Sequence, residues 1–167
     1  MRCSVCGDDH PIEEIEPAFG RPDAYFDLTP EQRERLAKSD SDLCRLEDPG
    51  SGELRWFVRA VLPVPVSGRK EPFRWGLWTE VPKHSFDRIL ELWSEPDQHI
   101  EPPIPADLAN SIPTYPETSG LPCTLHLTGP STRAEIHFAE ILDHPLAQEF
   151  HSGVTAHRAQ EWVELLS

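Results

Sequence analysis

The stretch LRWFVRAVLPVPV, residues 54 to 66, sets apolar side chains at every even position: Trp56, Val58, Ala60, Leu62, Val64 and Val66. The loop SGRKEP separates it from FRWGLWTEV, where Phe73, Trp75, Leu77 and Val81 fall at odd positions. A period of two belongs to a strand, because successive side chains leave a pleated backbone on opposite sides. Setting Val66 opposite Phe73 brings Val64 to Trp75 and Leu62 to Leu77, so both apolar sets share one face of a hairpin. The same register places Arg59 opposite Glu80 and Val61 opposite Trp78. Arg59 and Glu80 then form a cross-strand ion pair that, with Trp78 beside it, is a candidate pocket wall. Pro63 and Pro65 cannot donate to a ladder, so that end of the strand is expected at an edge or a bulge.

A second hairpin is expected from CTLHLT (123–128) and RAEIHF (133–138), which flank Gly129-Pro130-Ser131-Thr132. Pairing Thr128 with Arg133 gathers Cys123, Leu125, Leu127, Ala134, Ile136 and Phe138 on one face. On the other face His126 meets Glu135, and Thr124 meets His137. Two imidazoles beside a carboxylate can do acid–base work or bind a metal. The plainer reading is the polar side of a half-exposed sheet.

Helices are short and marked by their caps. Thr29-Pro30-Glu31-Gln32 reads as a capping box with proline at the first helical position, and predicts a helix to about Ser39. KHSFDRILELWS (83–94) carries Phe86, Ile89, Leu90 and Trp93 at helical spacing. A last helix over about 155–166 is expected to bury Trp162, Val163 and Leu166. Residues 11 to 27 read as extended coil. The proline-dense segment 96–116 is expected to wrap over the core, with one helical turn near 106–109. The chain holds 18 prolines, which favours turns and irregular connections over long helices.

The charge narrows the partners. With 15 basic against 29 acidic residues the net charge is −14, and no basic run exceeds the pair Arg69-Lys70. Nucleic acid and anionic membranes are therefore poor partners, and a basic protein surface or a cation suits the charge better. No apolar run approaches the roughly 20 residues of a membrane span, and the first fifteen residues lack an apolar signal core. Cytoplasmic placement is the resulting expectation, with the four cysteines read as thiols or ligands before disulfides.

Two of those cysteines open the chain in CSVCGDDH (3–10). A two-residue spacer lets one tight turn present both Cys3 and Cys6 to a tetrahedral zinc, and Gly7 supplies a permissive backbone. A redox motif belongs after a strand and at a helix start, for which residue 3 leaves no room. Two free thiols are the plain alternative. His10 and Cys44 are candidates to complete the set, while Cys123 points to the apolar side of its hairpin and reads as inert. Asp143-His144 is not a convincing acid–base pair, since adjacent residues seldom face each other. Neither a GxSxG elbow nor a glycine-rich phosphate loop is present.

CSVCGDDH, SDLCRLE, WFVRAVLPVPV with FRWGLW, IPTYPET and DHPLAQEFHSGVT together resemble an uncharacterised bacterial family, domain of unknown function 2199. The resemblance runs over nearly the whole chain. It implies a single-domain bacterial protein of unassigned activity, in which Cys3, Cys6, His10 and Cys44 act together. The family pattern has FVRG where this chain reads Phe57-Val58-Arg59-Ala60, so a role needing bare backbone at 60 does not carry over.

The expected fold is a single α+β domain, residues 1–167, with a metal-binding segment (1–27) and a body (28–167). Its body is a mostly antiparallel sheet of about five strands built from the two hairpins, with three or four short helices on one face and an N-terminal zinc knuckle. The expected function is a module stabilised by structural zinc that binds another protein. The alternative is a metal-dependent enzyme using an open zinc position or the His126/His137 face. Neither a reaction nor an oligomeric state can be read from the residues.

Overall fold

The longest strand serves three neighbours. The computed structural model describes residues 18–166, so Cys3, Cys6, His10 and the expected knuckle lie outside the described residues. Strand β3 (Leu54–Val64) pairs along one edge with β4 (Phe73–Val81), from Trp56 opposite Val81 to Val64 opposite Phe73. Its other edge is divided. Antiparallel β2 (Leu43–Glu47) takes Leu54 to Val58, and parallel β7 (Ala134–His137) takes Ala60 and Val61. Strands β5 (Ile104–Leu108) and β6 (Pro122–His126) complete the circuit from β4 to β7, and β1 (Ala37–Ser39) extends the sheet beyond β2.

The sheet is therefore larger than the expected five-stranded one. Seven strands form it among the described residues, and five of them, β3 to β7, close into a barrel through the parallel β3–β7 contact. Closure removes two sheet edges, which an open sheet would have had to protect. The barrel interior takes the even side chains of β3 and the odd ones of β4, as the alternation requires. Ala60, Leu62, Val64, Phe73, Trp75 and Leu77 are all wholly buried.

The first hairpin keeps its faces but shifts its register. Val64, not Val66, lies opposite Phe73, which moves Arg59 opposite Trp78 and Phe57 opposite Glu80. A two-residue slip leaves every side chain on its own face, so alternation cannot distinguish the two registers. Val66 instead bridges Val154 in parallel, with Val154 N donating to Pro65 O at 2.8 Å. The second hairpin has the expected register, with Thr124 opposite His137 and His126 opposite Glu135.

Among the described residues five α-helices pack on the sheet, and they do not share one face. α1 (Asp23–Phe26) and α2 (Pro30–Leu36) lie on the side where Cys44, Leu46, Phe57, Trp78 and Ala109 form a small second core. The expected extended coil thus contains a helical turn, because Phe57 and Trp78 on the outer face of the hairpin need cover. α2 is capped as anticipated, with Gln32 N donating to Thr29 Oγ1 and Thr29 N to Gln32 Oε1. It ends at Leu36, three residues before the expected stop at Ser39, because Ala37–Ser39 joins β2 as a strand. The proline-dense segment also holds a strand, β5, with Pro105 opposite Thr124. The helical turn expected at 106–109 is absent.

α3 (Lys83–Leu92), α4 (Pro145–Ser152) and α5 (Ala156–Leu166) pack on the main core. On α5, Trp162 meets Phe73 and Trp75 at ring-centroid distances of 5.0 and 5.1 Å. Replacing Trp162 by Ala opens a cavity in this cluster and is expected to cost about 3–5 kcal/mol in urea unfolding followed by circular dichroism. Trp162→Phe keeps an aromatic and removes a buried indole N–H that has no partner, so it is expected to cost clearly less. Equal losses for the two variants would mean that the cluster is not close-packed.

Candidate functional site

Where β2 and β7 part company along β3, the sheet forks. Arg59 N still reaches the β2 side, donating to Asp42 O at 2.9 Å, while Ala60 already pairs with Ala134 of β7. Antiparallel and parallel neighbours cannot merge, so they diverge and leave a cavity of about 710 Å³. Its apolar wall is built by Val58 and Ala134 at the fork and by Ile89 and Trp93 of the α3 region. The β6–β7 connection, Leu127 to Arg133, forms a second wall.

Gln98 fastens the two walls together. This buried side chain donates from Nε2 to Leu92 O at 2.9 Å and to Trp93 O at 3.3 Å, and it accepts from Gly129 N at 3.2 Å. It thereby satisfies carbonyls at the end of α3 that have no partner within the helix. Gly129, at φ 144°, holds a backbone shape that other residues rarely adopt.

Three guanidinium groups line the cavity, Arg59, Arg74 and Arg133, along with the carboxylates of Asp42 and Glu135. Arg133 Nε donates to Asp42 Oδ1 at 3.2 Å, an ion pair that spans the fork from β7 to the β1–β2 turn. Arg74 meets Glu71 at 3.4 Å, and Glu135 meets His137 Nε2 at 3.2 Å. Arg59 is treated differently. Its Nη1 donates to Ser41 O at 3.2 Å, its Nε is buried with no hydrogen-bond partner, and among the described residues no carboxylate forms an ion pair with it. Burial, and then the neighbouring positive charge of Arg133, lower its proton affinity below the usual arginine value, with Asp42 partly opposing them.

Of the residues anticipated as a pocket, Arg59 and Glu135 meet in this cavity. Trp78 does not. It is wholly buried in the second core, with Nε1 donating to Phe19 O at 2.9 Å and its backbone N donating to Asn110 Oδ1 at 2.8 Å. Glu80 pairs with Arg55 rather than Arg59, through two bonds of 2.8 and 2.7 Å, and borders a smaller cavity of about 170 Å³. The register shift is the cause, since it puts Phe57 where Arg59 was expected.

His126 and His137 stack with ring centroids 3.9 Å apart, and His126 Nε2 lies 3.0 Å from Thr124 Oγ1. Neither ring lines the two cavities just described. Burial, and then the facing His137, lower the proton affinity of His126, and Glu135 opposes them. Cys44 is 1% exposed and its thiol is held above the usual value chiefly by burial, with a side-chain hydrogen bond to Ser39 opposing it. Burial likewise pushes the Cys123 thiol up to about 12. Among the described residues no three His, Cys, Asp or Glu side chains gather as a metal-binding group. No helix among them is long and apolar enough to cross a membrane.

Sequence reasoning missed Arg133 and Asp42 as partners, together with Arg74, Trp93 and Gln98. The available signal was Arg59 itself, a charge set among apolar neighbours in FVRAV. His144 proves structural: its Nδ1 accepts from Leu146 N at 3.0 Å and so caps α4, and its Nε2 faces Pro116 O at 3.1 Å.

The chain belongs to the family described as uncharacterised proteins conserved in bacteria, domain of unknown function 2199, whose model matches residues 2–154. No curated protein and no solved structure matches it.

The lowered proton affinity of His126 sets a pH dependence. The folded protein binds this proton less readily than the unfolded chain, so stability falls as pH drops through about 6.5, the ordinary histidine value. The loss is complete below the lowered folded value. His126→Asn is expected to flatten this part of the stability–pH curve, and the His126 ring should titrate below 6.5 by NMR. A ring titrating above that value would contradict the stacked, half-buried geometry.

Proposed function

We propose that this protein is a binding module that takes a small molecule into the cavity at the fork of β3. The observation that carries this reading is the cavity itself. At about 710 Å³ it falls within the roughly 300–1,000 Å³ of small-molecule sites, and it joins an apolar wall to a few convergent polar groups. Its lining comes from separate parts of the chain: the β1–β2 turn, β3, β4, α3, the β6–β7 connection and β7. Such a site is preformed by the fold and needs no element to unfold. Trp93, 40% exposed at the cavity, offers a flat apolar surface to an entering ring or chain.

A second reading rests on the two-residue spacing of the CSVC thiols, which suits one tetrahedral ion. In it Cys3 and Cys6 hold a structural zinc with His10 or Cys44 as further ligands, and the acidic surface meets a basic protein partner.

Two measurements test these readings. Indole at millimolar concentration is a neutral probe of the cavity. It is expected to shift the amide resonances of Val58, Gly129 and Ala134 in NMR spectra, and Ser131→Trp at the exposed rim should abolish the shifts. Perturbations confined to other parts of the molecule would refute the cavity reading. For zinc, elemental analysis is expected to find one ion per chain, and chelator should lower the melting temperature to that of a Cys3→Ser, Cys6→Ser variant. A metal-free protein with an unchanged melt would end that reading.

A further inference from the structure

We propose that the fork cavity recognises an organic anion, a carboxylate or phosphomonoester carried on an apolar body, with Arg59 as the anchoring cation. The proposal rests on the cavity being a binding site and names the class of molecule that fills it.

The case begins with supply. The chain has 29 acidic residues for 15 basic ones, so a partner for each arginine is abundant. Some arginines use that supply: Arg55 binds Glu80, Arg88 binds Glu91 and Glu101, and Arg158 binds Glu149 and Glu161, whereas Arg33 and Arg59 donate to backbone carbonyls instead. Arg59 forms no ion pair among the described residues although it is half-buried; Arg133 stands near enough to lower its proton affinity, and Asp42, engaged with Arg133, offsets this only in part. A partly desolvated guanidinium beside a second one is costly until an anion arrives.

Geometry gives the anion its place. Arg59 sits at the fork, and Arg133 reaches across it to Asp42 at 3.2 Å with both partners well exposed. An exposed pair of this kind is worth little and is easily exchanged. An incoming anion can therefore lie between Arg59 and Arg133 and take over the bonds that Asp42 now makes. A planar guanidinium matches a carboxylate or phosphate edge through paired N–H groups. The apolar wall at Val58, Ile89 and Trp93 then takes the rest of the molecule, which excludes a bare inorganic ion as the best ligand.

Calorimetry on the full chain at constant ionic strength tests this with benzoate, phenyl phosphate and the neutral benzyl alcohol. At least one acid is expected to bind about tenfold tighter than the alcohol, a difference typical of one charge-assisted contact. The tighter acid names the headgroup. Arg59→Gln should remove that advantage and leave alcohol binding within about twofold. Binding of the alcohol as tight as both acids would overturn the anion assignment and leave the cavity reading standing. Failure of all three probes would overturn both.

A second readout does not depend on the choice of probe. Arg59→Met removes a partly buried and only partly compensated charge, and the ligand-free variant is expected to melt about 2 °C or more above the parent, as when a binding residue is traded for stability. A lower melting temperature would make Arg59 a structural residue and refute the proposal.

Discussion

The fold depends on a mismatch of lengths along one strand. β3 is far longer than β2 or β7, so neither can cover its second edge alone. The two strands share that edge, one antiparallel and one parallel, and the join falls between Arg59 and Ala60. Everything distinctive follows from this join. The parallel half closes the barrel, the antiparallel half carries β1 and β2 outward to the second core, and the gap between them becomes a cavity. Ala60 lies at the first residue on the β7 side and is wholly buried.

Electrostatics sort the surface of a strongly acidic molecule around that gap. Six of the described lysines and arginines pair with nearby carboxylates, in largely exposed pairs that contribute little individually. The fork instead concentrates guanidinium groups against apolar walls, where a charge interacts more strongly than it does in open water. A net charge of −14 repels anions at long range, so discrimination at the fork rests on contacts made within the cavity.

Local pattern made much of the architecture legible, and its limits have physical reasons. The second hairpin was readable as to register, with Thr124 opposite His137 and His126 opposite Glu135, although its connection runs from Leu127 to Arg133. The first was readable as to face but not register, since a two-residue slip keeps every side chain on its face and alternation cannot see it. Strand β5 was hidden because Pro105 argues against a strand, although proline is tolerated where the ladder does not need its donor. The barrel closure, and with it the meeting of Arg59 with Arg133, joins residues far apart in sequence by a parallel contact that no periodicity announces. Glu135 and Arg59 were each visible as polar residues on a sheet face, but what brought them together was not.

The closing contact also says something about the order in which this chain acquires its shape. Ala60 and Val61 must wait for Ala134 and Glu135, and Pro65 must wait for Val154. During synthesis the part of β3's second edge from Ala60 onward therefore stays open until most of the polypeptide has emerged, and open apolar edges invite pairing with neighbouring chains. Pro63 and Pro65 lie along that late-closing stretch, where each removes a donor that a foreign strand would use. The two prolines that weaken a ladder in the finished barrel thus guard its unfinished form against aggregation.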